Sequence, residues 1–269
     1  MRLLLIGLFA LLAAAAPAAS PDREAQFAKI DAAVAKFPAQ VDGRTDVYFL
    51  GFAGDGEEKV FAEEIKLAAQ RVGAKYGSAA RSVLLINDRR DLTTWPLATG
   101  INLDHAARAI ARVMNRDEDV LFLALSSHGN RYAQIIVENT GVPESGLDAD
   151  SVAQVLRAAD IRWKIVVVSA CYAGTFIRPL ADDHSVIITA ASKSRSSFGC
   201  SDDRDLTYFG EAFYRDALPG AARLRDAVDA ARGIIRAREK AEGVKPSHPQ
   251  SFFGSMTERK LAELEAREK

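Results

Sequence analysis

The chain has 269 residues, of which 48% are hydrophobic and 26% are charged, and its formal net charge is -1. This composition is typical of a globular protein with a substantial core. The near-neutral balance argues against a nucleic-acid-binding protein, which usually carries a basic face or stripe.

The N-terminus differs in composition from the rest of the chain. Arg2 precedes an apolar run over residues 3–16, which is followed by small residues up to Ser20. This pattern is typical of a secretory signal peptide, and the run is shorter than the about 20 apolar residues that a membrane-spanning helix needs. We expect cleavage of residues 1–20 and export of a mature protein, periplasmic or secreted, with no membrane attachment. An uncleaved membrane anchor is the alternative.

A helical lead-in is predicted over residues 21–44, followed by a single α/β domain over residues 45–241 and a tail, residues 242–269, with a short charged helix. Predicted strands cover residues 46–52, 82–86, 119–126, 164–170 and 185–190. Predicted helices cover residues 60–72, 103–114, 149–158, 207–218 and 223–241, and a small hairpin is possible at 132–137. The strands are nearly continuous apolar runs separated by helices, which predicts a mostly parallel sheet covered on both faces.

Two of the predicted strands run directly into residues that can carry chemistry. The strand at 119–126 continues into Ser127-His128-Gly129, and the strand at 164–170 continues into Cys171. Sites in open parallel sheets form outside the carboxyl ends of the strands, and consecutive strands often lie side by side. We therefore expect His128 and Cys171 to face each other across one cleft.

An imidazole beside a thiol is the arrangement that nucleophilic catalysis by cysteine requires. His128 would take the thiol proton and Cys171 would attack a carbonyl to form an acyl-enzyme. The backbone amides of Gly129 and Cys171 are the candidate oxyanion hole, because glycine permits a close approach. A cysteine or a histidine alone would usually be a core or loop residue, so the pairing carries the prediction. No cofactor and no metal site are predicted.

Three segments resemble the legumain-like peptidases of the caspase-like clan. They are SSHGN at 126–130, SACYAG at 169–174 and ITAASKSRSSFGCSDDRDLTYFGEAF at 188–213, and the resemblance extends over roughly residues 45–217. The resemblance implies a caspase-like three-layer sandwich with helices on both faces of the sheet. It also implies a cysteine endopeptidase that cleaves peptide or protein substrates through the dyad of Cys171 and His128.

The resemblance further implies a pocket for the side chain that precedes the scissile bond. By matching segments, this pocket is formed by Ser196, Ser197, Phe198 and Glu211. Legumains prefer asparagine there, helped by an arginine after the first strand, whereas this chain has only Lys59 nearby. An acidic pocket without the arginine predicts tolerance of, or preference for, Lys or Arg before the cut.

Other functions are compatible with the same residues. A transpeptidase or transamidase would use the same acyl-enzyme, and a binding module would keep the fold without catalysis. Cys200 is either a free thiol or the partner of Cys171 in a disulfide, the usual state of two cysteines in an oxidising compartment.

Overall fold

We describe the protein from a computed structural model, which covers residues 22–140, 142–201 and 203–267. The predicted signal peptide lies outside the described residues. The strands are β1 Val47–Ala53, β2 Ser82–Ile86, β3 Val120–Ser126, β4 Gln134–Asn139, β5 Val142–Asp148, β6 Trp163–Ser169, β7 Ser185–Thr189 and β8 Gln250–Phe253. The α-helices are α1 Arg23–Val34, α2 Lys59–Tyr76, α3 Gly100–Ala111, α4 Ala149–Ala158, α5 Ile177–Leu180, α6 Tyr208–Gly210, α7 Leu224–Ala241 and α8 Ser255–Arg267, and a π-helix over Glu211–Ala217 continues α6. None of the helices within these ranges combines the length and the apolarity needed to cross a membrane.

Six strands form one central sheet in the order β2-β1-β3-β6-β7-β8. The first five of these are parallel to their neighbours, and β8 pairs antiparallel with β7 at one edge. The central strands β1, β3 and β6 are buried along their whole length, as their continuous apolar runs predicted. The prediction of a mostly parallel sheet is confirmed.

Helices cover both faces of this sheet and enclose two apolar cores. One core joins α1, α3, α4 and α5 to one face of the sheet, and the other joins α2, α7, α8 and the region around α6 to the opposite face. Helix α2 shows the sequence cause, because Val60, Phe61, Ile65, Ala68 and Val72 recur at helical spacing and are all buried. The fold is a three-layer caspase-like sandwich, as predicted.

The chain after α7, which was predicted to be a tail, packs against the rest of the domain. Its helix is present as α8, with Leu261 and Leu264 buried in the second core. Strand β8 was not predicted, because it is only four residues long and follows a stretch with two prolines, which resembles a loop. The possible hairpin is present as β4 and β5, longer than predicted, outside the main sheet.

Candidate active site

The carboxyl ends of β3 and β6 lie side by side and carry the two predicted catalytic residues. Ser126 and Ser169 are register partners in the parallel ladder, so His128 and Cys171 each follow two residues beyond one pair. The backbones then approach so closely that a Cβ atom at position 129 would lie 2.0 Å from the Cys171 carbonyl oxygen. Only glycine fits at position 129, which is the close approach expected from the sequence.

A small cavity lies between these two strand ends. It is lined by both predicted catalytic residues together with Phe61, Ser127, Ser169, Ala170, Ser197, Phe198, Cys200 and Thr207. Its volume of ≈ 10 Å³ gives room for about one water molecule. The structure therefore brings His128, Cys171, Ser197 and Phe198 together, and it adds Cys200 to the same cavity.

Cys171 occupies a sharp turn directly after β6. The next residue, Tyr172, has a left-handed φ of 58°, and a short 3₁₀ helix follows over Ala173–Phe176. The Cys171 sulfur accepts a hydrogen bond from the Ser197 amide (3.3 Å) and donates to the Ser197 carbonyl oxygen (3.5 Å). Burial raises the pKa of the Cys171 thiol, against the opposing effect of the Ser197 amide and the Ser196 hydroxyl.

A continuous helix that began at Cys171 would favour the thiolate, but no such helix is present. The segment after Cys171 forms only short 3₁₀ and α turns, Ala173–Phe176 and Ile177–Leu180, rather than one continuous helix. So few aligned peptide dipoles add little positive potential. The sulfur is a neutral thiol in the resting protein.

His128 is oriented toward acidic groups rather than toward Cys171. Its ring stands edge-on to Phe61 with 4.9 Å between ring centres, and its Nε2 atom lies 3.2 Å from the Glu58 carboxylate. Interaction with the Cys200 sulfur, followed by the Glu58 and Asp55 carboxylates, raises the pKa of His128 to about 9, although burial opposes the charge. The imidazole is therefore protonated at neutral pH.

Asp55, Glu58 and His128 form a cluster that the sequence analysis did not identify. Their ligand-type atoms all lie within 4.8 Å of one another, and Asp55 is buried. Burial, and to a lesser extent the neighbouring Glu58, raises the pKa of Asp55, and the geometry of the three groups could accommodate a cation. The available signal was the polar sequence GDGEE at 54–58, directly after β1.

Glu211 lies outside the cavity. Its carboxylate is bound by Arg204 (2.5 Å), Arg215 (2.6 Å) and Arg238. Burial opposes ionisation of Glu211, but Arg238 and Arg215 outweigh burial and hold the pKa of this carboxyl below its usual range. The structure thus does not bring Glu211 together with Ser197 and Phe198.

The Lys59 side chain is also directed to an acid, because its Nζ atom lies 2.7 Å from the Asp205 carboxylate. Neither of the charged groups considered for the specificity pocket, Glu211 and Lys59, lines the cavity beside Cys171.

Comparison with known families decides the relationship. The sequence profile of the peptidase C13 family matches residues 101–259, more than half of the chain, and this match includes both strand ends and the loop around Phe198. The chain belongs to the peptidase C13 family. This is the legumain family, so the resemblance of the three segments is confirmed. A search of curated proteins found no match. Membership supports cysteine-peptidase chemistry in general and peptide or protein substrates.

A further residue of this C13 protein lies directly behind the cavity. Glu64 of α2 is fully buried, and its Oε2 atom accepts hydrogen bonds from the Thr207 hydroxyl (2.5 Å) and amide (3.3 Å). The Thr207 hydroxyl lies 3.2 Å from the hydroxyl of Ser169, and both residues line the cavity. Burial raises the pKa of Glu64 and favours the neutral acid, although the surrounding hydroxyl groups oppose this effect.

Sequence reasoning missed Glu64 although a signal existed. Position 64 lies four residues after Val60 and three after Phe61, on the apolar stripe of α2. A carboxylic acid on a buried stripe is costly unless it is paired, so its presence there indicates a specific partner.

Proposed function

We propose that this protein is a cysteine endopeptidase in which Cys171 is the nucleophile and His128 is the general base and acid. The observation that carries the proposal is the register of Ser126 against Ser169, which puts both motifs on one cavity. Membership in the C13 family supports the same chemistry. The segments that follow β3 and β6 meet at this cavity, and together they supply the thiol and the imidazole that nucleophilic catalysis by cysteine needs.

The resting state has a proton on each of the two groups. The imidazole must lose its proton and turn from Glu58 toward the thiol before it can accept a proton from Cys171. The sulfur then attacks the substrate carbonyl carbon, and the tetrahedral intermediate breaks its C–N bond as His128 protonates the leaving amine. In the second half, water gives a proton to His128 and attacks the thioester, which releases the acid and restores the thiol.

We assign the oxyanion hole to the backbone amides of Gly129 and Cys171. These two residues approach each other closely, as the absence of space for a Cβ atom at position 129 demonstrates. Backbone donors fixed by a tight turn stabilise a developing negative charge without reorganisation, which typically contributes about 10²–10³-fold in rate per donor.

The test is turnover of an unstructured protein substrate by purified variants. We expect Cys171→Ala to abolish turnover and His128→Ala to lower it by about 10²–10⁴-fold. His184, which packs edge-on against Trp163 away from the cavity, provides the matched control, and His184→Ala should retain full turnover. Full activity in folded Cys171→Ala would refute the proposal.

We also propose that the protein is exported and loses residues 1 to about 20. The basic start, the short apolar run and the following small residues support this proposal. The mature protein from its native host should begin between Ala19 and Asp22. An intact mass that still includes Met1 in the exported fraction would refute export with cleavage.

A further inference from the structure

We infer that Glu64 is a positioning residue for the proposed reaction, because its carboxyl group joins the ends of β3 and β6 to the segment that begins α6. The inference rests on the proposed function and adds to it a residue that does not touch the substrate. Glu64 acts through the strand ends that carry His128 and Cys171, and so sets where the imidazole and the thiol lie relative to each other.

The alternation of side chains along β3 and β6 explains why a polar residue of α2 lies here. On the face of the sheet that α2 covers, the two strands are apolar as far as Ala124 and Val167. The next residues on that face are the register partners Ser126 and Ser169, both buried. The proposed base and nucleophile follow two residues later in each segment. A row of two hydroxyl groups therefore separates the apolar core from the proposed dyad, and Glu64 reaches this row from α2.

The carboxyl group of Glu64 contacts both strand ends at once. Its Oε2 atom accepts hydrogen bonds from the hydroxyl (2.5 Å) and the amide (3.3 Å) of Thr207. The Thr207 hydroxyl in turn lies 3.2 Å from the hydroxyl of Ser169. Burial raises the pKa of this carboxyl, and the hydroxyl groups of Ser169, Thr207 and Ser126 oppose that effect, so all three interact with it.

A neutral carboxylic acid matches the hydrogen-bonding groups around it. It has one O–H donor and can still accept, whereas a carboxylate can only accept. Oε2 already accepts two hydrogen bonds from Thr207, which leaves the proton on Oε1. Among the described residues, Oε1 and the hydroxyl of Ser126 are both buried and have no other partner, so the Ser126 hydroxyl is the acceptor for this proton.

Thr207 extends the connection to the sulfur of Cys171. The amide of Tyr208, the next residue, donates to the Phe198 carbonyl oxygen (3.0 Å). Phe198 is adjacent to Ser197, whose amide (3.3 Å) and carbonyl oxygen (3.5 Å) both bond to the Cys171 sulfur. A displacement of Thr207 would therefore be transmitted to the loop that holds the proposed nucleophile.

Glu64 has no space in which to adopt another position. A Cβ atom at position 210 would lie 2.2 Å from its Oε2 atom, so the backbone of α6 closes the space beside the carboxyl. The Thr207 hydroxyl is fixed as well, because it accepts a hydrogen bond from the Gly210 amide (2.9 Å). A substitution that keeps the length of the side chain and removes its oxygens thus tests the hydrogen bonds rather than the packing.

The experiment measures kcat and KM separately on one peptide that the unsubstituted protein cleaves. Glu64→Gln keeps a donor and an acceptor and should retain kcat. Glu64→Met keeps the length but has neither, and we expect kcat to fall by about 10²-fold at an unchanged KM, because a misplacement of about 1 Å at the reacting groups costs that much. Alkylation of Cys171 by iodoacetamide should slow in parallel. An equal loss in Glu64→Gln, or a raised KM at constant kcat, would contradict this role.

Glu265 provides the matched control. Its carboxyl is also buried and also accepts hydrogen bonds from a hydroxyl (Tyr76, 3.0 Å) and an amide (Leu224, 2.7 Å), but it does not line or adjoin the cavity. Glu265→Met should therefore lower the free energy of unfolding and keep the kcat of the folded protein. A loss of kcat as large as that of Glu64→Met would show that any buried glutamate has this effect, and would overturn the inference.

Thr207→Val keeps the test decisive if Glu64→Met does not fold. This change keeps the shape of the side chain and removes the hydroxyl that joins Glu64 to Ser169, so it should also lower kcat at an unchanged KM. Full kcat in folded Glu64→Met or in folded Thr207→Val would overturn the inference and leave the proposed function intact. Full turnover in folded Cys171→Ala would instead remove the proposed function and the inference with it.

Discussion

The Nε2 atom of His128 lies 3.2 Å from the Glu58 carboxylate, and the imidazole makes no hydrogen bond to the Cys171 thiol. The proposed base is thus paired with an acid while the proposed nucleophile is bonded to the backbone of Ser197. Both groups hold their protons at neutral pH, because the pKa of each is raised. Activation requires the loss of the imidazole proton and a rotation of the ring.

The pH dependence of the rate follows from this arrangement. His128, with a pKa raised to about 9, becomes neutral and able to accept the thiol proton only as the pH rises through that value. We expect kcat/KM to increase with pH up to an inflection near 9. Glu58→Gln removes one of the charges that favour the imidazolium, so it should move the inflection to lower pH, and Glu57→Gln is the matched control. An inflection of kcat/KM near pH 6.5 that stays at the same pH in Glu58→Gln would contradict this account.

The contact between the two strand ends predicts the effect of a single methyl group. Gly129→Ala would place a Cβ atom 2.0 Å from the Cys171 carbonyl oxygen, which the backbone cannot accommodate without a shift. We expect a loss of about 1–3 kcal/mol in the free energy of unfolding and a large loss of turnover, measured by urea denaturation and by peptide cleavage. Gly220→Ala, with no atom within 4 Å of the added group, should change neither the free energy of unfolding nor turnover appreciably. Normal turnover of Gly129→Ala would argue against a fixed oxyanion hole at this position.

Much of the fold, and the proximity of His128 and Cys171, could be predicted from the sequence for a physical reason. Sites in parallel sheets form at the carboxyl ends of the strands. The motifs directly after residues 126 and 169 therefore suffice to predict that His128 and Cys171 lie close together. Whether the two side chains point toward each other could not be predicted in this way. The orientation of His128 depends on Glu58, which is 70 positions away in sequence.

The same limit applies to the pocket. Ser197 and Phe198 line the cavity, whereas Glu211, which the resemblance placed in the pocket, lies outside it, and Glu64, which the sequence analysis did not identify, is hydrogen-bonded to a residue of the lining. Glu211 is bound by arginines from three chain positions, and Glu64 is held by a hydroxyl 143 positions away. Such pairings arise from tertiary packing and leave no periodic signal in the chain.

The environment of Glu64 makes stability depend on pH. Its pKa is raised in the folded protein, so the folded state keeps a proton that the unfolded chain has already released. The contribution to stability is therefore full below the ordinary pKa of glutamic acid and declines as the pH rises toward the folded pKa. Glu64→Gln should flatten this decline in urea denaturation between pH 4 and pH 8. A decline identical to that of the unsubstituted protein would show that other groups cause it.

The arginine cluster around Glu211 predicts a structural effect. Glu211→Gln leaves Arg204, Arg215 and Arg238 close together with one charge fewer between them. We expect a loss of about 1–3 kcal/mol in stability by thermal or urea unfolding, with an unchanged preference among substrates. Glu258→Gln, which breaks an exposed pair with Arg225, should cost less than about 1 kcal/mol. Selective loss of cleavage after Lys and Arg in Glu211→Gln would instead restore a role for Glu211 in the pocket.

Covalent labelling tests the assignment of Cys171 most directly, because Cys171 and Cys200 line the same cavity and are the only two cysteines of the chain. The reagent is a thiol-reactive peptide with alanine next to its electrophile, and intact-mass and peptide mass spectrometry give the site and extent of modification. The account predicts one label on Cys171, retained in Cys200→Ala, absent in Cys171→Ala and slowed by orders of magnitude in His128→Ala. Labelling of Cys200 at an undiminished rate in Cys171→Ala, or of Cys171 at an unchanged rate in His128→Ala, would contradict it.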